Sequence, residues 1–236
     1  MSFTPATLPS VIAFIAIVAA VLALFLVAVA HAYRAETNHR AQIVMRTAAI
    51  VVLWLGLLGA LVGSGQLGRL PLNGLPVFFG GVLVLVLAAG ISPFGGRLAA
   101  GLPLAALVGF QAFRLPLELV LHEWAEQGTI PKAMTWTGQN WDIISGAVAL
   151  LAAPLANRHR GAAWTANVIG AALLLNVIRV VILTSPVPFG WNVTPPLMLA
   201  FHLPYALIAP VCVGGAILGH ILLTRALLRH AQPPSA

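Results

Sequence analysis

Runs of about 20 predominantly apolar residues follow one another along this chain, each long enough to cross the hydrocarbon core of a bilayer as a helix. We place seven such spans at residues 9–33, 47–64, 75–92, 102–124, 139–156, 163–184 and 197–224. Hydrophobic residues make up 60% of the chain and charged residues only 7%, against about 25% charged in soluble domains. The sequence therefore predicts an all-α membrane protein, a bundle of about seven transmembrane helices forming a single domain over residues 1–236.

Positive charge is distributed unevenly between the loops that join these spans. Lys and Arg accumulate in the cytoplasmic loops of membrane proteins. One set of alternating loops holds eight arginines: Arg34, Arg40, Arg46, Arg97, Arg158, Arg160, Arg225 and Arg229. The other set holds only Arg69 and Lys132. We therefore expect the N-terminus outside, the C-terminus in the cytoplasm, and a multi-pass protein of the bacterial cytoplasmic (inner) membrane.

One span carries ionisable residues at a regular spacing. Arg114, Glu118 and His122 recur every four residues, so on an α-helix they share one face and drift by only about 40° per step. An ionisable residue at bilayer depth costs roughly 2.5–3.5 kcal/mol on insertion scales. The stripe is therefore predicted to face the interior of the bundle rather than lipid, in the outer half of the membrane.

Polar residues of three other spans are predicted at a similar depth. They are Asn140 and Asp142 of the fifth span, Asn176 and Arg179 of the sixth, and His202 of the seventh. Pro116 and Pro204 would break the helices beside them, because proline removes a backbone hydrogen bond. With the stripe, these residues predict a polar pocket within the membrane that opens outward.

Two kinds of chemistry fit this pocket. Its tentative metal ligands are Glu118, His122, Asp142 and His202, a two-histidine, two-carboxylate set suited to zinc, iron or manganese. In the catalytic interpretation, His122 is a ligand or general base, Glu118 is a ligand or an acid–base group, and Arg114 holds an anion. Asn140, Asp142, Asn176 and Arg179 would then bind substrate or support the site.

A structural alternative needs no ligand. Arg114 and Arg179 balance the charges of Glu118 and Asp142, so the four side chains form a neutral set that would lock the helices together. On this interpretation Arg179 is expected to pair with Asp142 or Glu118. His220, near the predicted inner end of the last span, is interpreted as an interfacial residue outside this set.

The favoured function is an integral membrane enzyme, metal-assisted and hydrolytic, that acts on a lipidic or amphiphilic substrate. A proton-coupled transporter or channel is the first alternative, with Glu118 and His122 as a proton relay. The second is a non-catalytic or haem-binding subunit of a membrane complex. His122 and His202 would be the axial ligands of a haem, although the charges beside them make haem the less favoured cofactor.

The expected partners are membrane lipids and either other membrane subunits or a second copy of the chain. Nucleic acid is not expected, because the net charge of +7 is accounted for by the loop arginines that set the topology.

Overall fold

The computed structural model describes residues 3–229 as an all-helical protein. Within that part of the chain, six segments are long and apolar enough to cross a membrane: Leu8–Ala32, Arg40–Gly63, Pro71–Ile91, Leu104–Glu126, Arg160–Thr184 and Tyr205–Arg229. They match six of the seven predicted spans to within a few residues, except at the start of the second, which begins at Arg40 rather than at residue 47, and at both ends of the last. The chain is therefore a multi-pass membrane protein.

Nine α-helices of the described residues build these segments and their connections. They are α1 Leu8–Ala32, α2 Arg40–Gly63, α3 Leu75–Ile91, α4 Pro93–Gly101, α5 Leu104–Phe110, α6 Arg114–Glu126, α7 Ile143–Ala156, α8 Arg160–Thr184 and α9 Gly214–Arg229. Helix α9 packs against α3, α4, α5 and α8 and so lies at the centre of the bundle. Helix α2 lies at its edge, where only Val62 is buried.

The span that carries the charged stripe is interrupted. A 3₁₀ turn at Gln111–Phe113 separates α5 from α6. Pro116 lies in the first turn of α6, where its missing N–H would otherwise have bonded to the carbonyl of Ala112. The break predicted beside Pro116 is therefore present, and it sets Arg114 at the start of a new helix.

The fifth predicted span, residues 139–156, is the one without a counterpart among these six segments, and it is only partly helical. Helix α7 has 14 residues and a length of about 21 Å at 1.5 Å per residue, which is less than the roughly 30 Å of a bilayer core. Residues 127–142 precede it, and together the loop and α7 run antiparallel to α6 and α5. The contacts that follow this path are Lys132 with Glu126, Asn140 with Glu118, Asp142 with Arg114, and Ala105 with Asn157.

Such irregular backbone is tolerated at membrane depth where protein covers it. Thr135 and Asn140 are fully buried, and Asp142 is nearly so. The predicted helical start of this span at residue 139 is therefore wrong, because the chain there is a loop whose buried polar side chains, Asn140 and Asp142, bond to α6.

The last span also differs from the prediction of residues 197–224. It starts with a 3₁₀ turn at Tyr205–Leu207, passes through a π-helix at Ile208–Val213 and continues as α9 to Arg229. Pro210 lies within the π-helix, where its missing N–H disrupts the α-helical pattern. His202 precedes this span in an extended conformation, so its predicted position inside a helix is wrong.

Candidate functional site

An arginine–aspartate pair lies at the centre of the bundle. Arg114 of α6 and Asp142, which immediately precedes α7, are almost completely buried. The guanidinium donates from Nε to Oδ2 of Asp142 over 2.6 Å, and from Nη2 to Oδ1. Such a two-pronged geometry matches the planar fork of arginine to a carboxylate. The pair holds α6 to the beginning of α7.

Glu118 lies one helical turn beyond Arg114 and is also buried. Its Oε1 accepts a hydrogen bond of 2.9 Å from Nδ2 of Asn140, which donates as well to the carbonyl of Met134. Oδ1 of Asn140 accepts from the backbone N–H of Asp142. The second carboxylate oxygen of Glu118, Oε2, is buried and has no hydrogen-bond partner. The loop thus orients Glu118 and leaves one of its buried oxygens without a hydrogen-bond partner.

The buried polar network continues beyond Arg114 in the opposite direction. Nη1 of Arg114 donates to the carbonyl of Gly170 and contacts Nε2 of His220 at 3.1 Å. Nδ1 of His220 lies 2.9 Å from Oδ1 of Asn167, whose Nδ2 donates to Oγ1 of Thr224. A neutral imidazole protonated at Nδ1 satisfies both of its contacts.

His220 is buried inside the bundle, so its predicted position at the membrane interface is wrong. It lies nine residues before the end of α9 at Arg229, about 14 Å along the helix axis. The predicted span ended at residue 224. This early end placed His220 only four residues from the end of the helix and therefore too close to the membrane surface. A stripe of Ala216, His220 and Thr224 at the same four-residue spacing as the α6 stripe was the signal that would have placed it inside.

The two remaining predicted ligands are separate from this network. His122 of α6 is half-buried and stacks on Trp136 at 4.2 Å between ring centroids, with a buried Nδ1 that has no partner. His202 stacks on Phe3 at 3.9 Å. Burial lowers the pKa of His202.

Among residues 3–229, no three His, Cys, Asp or Glu side chains are grouped so that they could hold a metal ion. The predicted set of Glu118, His122, Asp142 and His202 is therefore not assembled. The cause is geometric: the extended backbone at His202 carries it onto the N-terminal segment, and Asp142 is bound to Arg114.

Asn176 and Arg179 lie on another face of α8. Nδ2 of Asn176 donates to the carbonyl of Gln139 over 2.7 Å, and Nη2 of Arg179 donates to Oδ1 of Asn176. The exposed guanidinium of Arg179 also lies over the ring of Trp191. Its predicted ion pair with Asp142 or Glu118 is wrong, because Asp142 pairs with Arg114 and Glu118 bonds to Asn140.

A cleft of about 220 Å³ lies between α3 and α8, with the π-helix and α9 at its base. Its lining includes Phe78, Val82 and Leu83 of α3 and Val177, Val181 and Ile182 of α8. Leu83 and Ile182 are 42% and 43% exposed, so the cleft opens on the lipid-facing surface. The charged side chains in its lining are those of Arg114, Glu118 and Asp142.

This cleft combines apolar walls with a polar inner end. Its volume of about 220 Å³ is larger than the roughly 150 Å³ of an engineered apolar cavity that binds benzene. A few polar groups that converge on an apolar cleft are typical of small-molecule sites. His122, His202 and His220 are not among its lining residues. The chemistry available to a molecule in the cleft is therefore that of the Glu118 carboxyl and the Arg114–Asp142 pair.

No family model, no curated protein and no solved structure matches this chain. The functional argument therefore depends on the geometry of these residues.

Proposed function

We propose that the protein is an integral membrane enzyme acting on a lipidic or amphiphilic substrate held in the cleft between α3 and α8. The observation that carries this proposal is the cleft itself, which is apolar along its length and ends at three buried charged side chains. A hydrocarbon chain could enter from the bilayer, and its polar end would then lie beside Glu118.

Glu118 is the acid–base group of this proposal. Its Oε1 is fixed by Asn140, whereas Oε2 has no partner, so a proton can be exchanged there with a bound molecule. Arg114 was expected to hold an anion of the substrate, but it is bound to Asp142. The Arg114–Asp142 pair would instead provide a fixed electrostatic environment for Glu118. His122, one turn further along α6, is the group through which Glu118 would exchange protons with the medium.

The test is turnover by purified protein in nanodiscs made from a bacterial lipid extract. Mass spectrometry should reveal a lipid species that wild-type protein consumes and that Glu118→Gln does not. A second variant, Ala209→Phe, fills the base of the cleft, where Ala209 is buried, and should also be inactive. Wild-type turnover that survives in both variants would contradict the proposal.

The second candidate function is proton-coupled transport. The buried network favours it, because hydrogen bonds connect Asn140 through Asp142, Arg114 and His220 to Asn167 and Thr224. Arginine keeps its proton in proteins, so Arg114 interrupts a relay along this network. Proton flux into proteoliposomes that is lost in His220→Ala and kept in Ala209→Phe would favour transport over the enzyme.

We also propose the orientation implied by the loop arginines, with the N-terminus outside and residue 229 on the cytoplasmic side. The cleft would then open within the outer half of a bacterial cytoplasmic membrane. Alkaline phosphatase fused after Arg229 should be inactive in this orientation, and a fluorescent protein fused there should be fluorescent. An active phosphatase would place the site in the cytoplasmic half.

A further inference from the structure

We infer that the cleft selects an amphiphile whose head is a hydrogen-bond donor and carries positive charge, such as a long-chain amine, over one with an anionic head. This inference depends on the proposed function, since it assigns a substrate class to the same cleft. The inference is based on the hydrogen-bond partners and the charges of the side chains at the inner end of the cleft.

Most of the hydrogen-bond donors at that end are already used. Arginine has five N–H groups, and four from Arg114 are directed at Asp142, Gly170 and His220. The hydroxyl of Ser185, another polar side chain of the lining, donates to the carbonyl of Val181. An anionic head would therefore find at most one free N–H of Arg114.

A hydrogen-bond acceptor at the inner end of the cleft, by contrast, has no partner. Within residues 3–229, five residues keep a buried polar side-chain atom without a partner, namely Gln111, Glu118, His122, Thr129 and Ser145. Of these, only Glu118 lines the cleft. A buried acceptor without a partner costs free energy comparable to a lost hydrogen bond. A donor group on a bound molecule would remove that cost.

Charge points to the same head group. The lining contains one guanidinium and two carboxylates, and the bidentate contact makes Arg114 and Asp142 a self-neutralising pair. No other lysine or arginine of the described chain lines the cleft, so the Glu118 carboxylate has no cation of its own. An ammonium group beside Oε2 would donate the missing hydrogen bond and stabilise the ionised form of the Glu118 carboxyl, whereas a carboxylate or phosphate would be repelled by it.

The apolar walls define the rest of the molecule. The path from the exposed Leu83 and Ile182 to Glu118 passes between hydrocarbon side chains. Burial of an alkyl chain along this path would be favourable, because each buried methylene contributes about 0.8 kcal/mol of transfer free energy. The ligand class is therefore an alkyl chain ending in an amine.

The experiment compares dodecylamine, dodecanol and dodecanoate, which share one chain and differ in their head groups. The protein is held in nanodiscs of zwitterionic lipid. Binding is measured as protection of Cys212, the single cysteine of the chain, which lines the cleft, from a small lipid-soluble maleimide. Because Cys212 is buried, a second reporter is Ile182→Cys in a Cys212→Ser background, at the exposed mouth of the cleft.

We expect the amine to protect best and the carboxylate least. Glu118→Gln should weaken amine binding about tenfold or more, as expected for a lost hydrogen bond to a charged group, and should change alcohol binding little. The matched control is Glu126→Gln, which removes an exposed carboxylate from the same helix and should leave all three affinities unchanged.

The outcomes separate this inference from the proposed function. Equal protection by all three probes, or strongest protection by dodecanoate, would overturn the amine preference while leaving the cleft as a binding site. Protection by none of them at either reporter would overturn the proposed function and the inference together. An equal loss of amine binding in Glu118→Gln and Glu126→Gln would assign the effect to surface charge and overturn the inference.

Discussion

The two ends of the buried polar network differ in how completely their hydrogen bonds are formed. At the end formed by α8 and α9, His220, Asn167 and Thr224 bond to one another and to Arg114. At the cleft end, Glu118 bonds to Asn140 through one oxygen and leaves the other without a partner. A fully bonded polar network rigidifies and specifies a unique packing, whereas a buried unpaired acceptor needs an explanation beyond packing.

This difference suggests a division of roles between the two ends. The His220 end would fix the helices and hold the Arg114–Asp142 pair in place. The Glu118 end would interact with what enters the cleft. Substitutions at the two ends should therefore separate protein stability from ligand binding.

The largest effect is expected for the pair that joins the two ends. Asp142→Ala leaves the buried guanidinium of Arg114 without its carboxylate, and breaking a buried pair in this way typically costs about 3–5 kcal/mol. We expect a large fall in the unfolding midpoint measured in detergent. The double variant Arg114→Met with Asp142→Leu removes both charges and should be more stable than Asp142→Ala alone. A single variant as stable as wild type would contradict a central structural role for the pair.

His220→Ala should have the next largest effect. It removes partners from Asn167 and from Nη1 of Arg114, and each buried group left without a partner costs about 1–3 kcal/mol. Affinity for a cleft ligand should remain unchanged, because His220 does not line the cleft. Thermal unfolding and the Cys212 protection assay would measure the two properties on the same sample.

A smaller loss is expected for Gly170→Ala. A Cβ at residue 170 would lie 2.7 Å from Cε1 of His220, and overpacking of this kind costs about 1–3 kcal/mol. Replacing a helical glycine returns about 0.5–1 kcal/mol. Gly161→Ala is the control on the same helix, since a Cβ there meets nothing within 4 Å, and it should be neutral or stabilising. Equal unfolding midpoints for the two variants would show that close packing at Gly170 is unimportant.

Glu118→Gln should change stability least. The amide is nearly isosteric and its oxygen can still accept from Asn140, so we expect a change of less than about 1 kcal/mol, the size of a typical neutral hydrogen bond. Turnover should nevertheless be lost, because an amide neither gives nor takes the proton. Full activity of this variant would remove Glu118 from the proposed chemistry.

The sequence predicted most of the fold because transmembrane helices depend mainly on length and hydropathy. It also placed Arg114 and Glu118 correctly inside the bundle, since the cost of charge in lipid leaves few alternatives. The orientation of the spans in the membrane stays a prediction.

The sequence could not show which side chains meet. Depth along a span is one coordinate, and the lateral direction of a side chain depends on how neighbouring helices rotate. Arg179 lies on a face of α8 where its guanidinium contacts Asn176 and Trp191 rather than Asp142 or Glu118. His202 has an extended backbone. Its position was predicted by assuming a continuous helix from residue 197, and that assumption fails there.

The most direct test compares the affinity of dodecylamine for wild type, Glu118→Gln and His220→Ala, alongside the unfolding midpoint of each. We predict that Glu118→Gln weakens binding about tenfold or more with almost no loss of stability. His220→Ala should lower the unfolding midpoint and leave the affinity unchanged. The reverse result, with binding lost in His220→Ala and kept in Glu118→Gln, would contradict the division of the network into a structural end and a ligand-binding end.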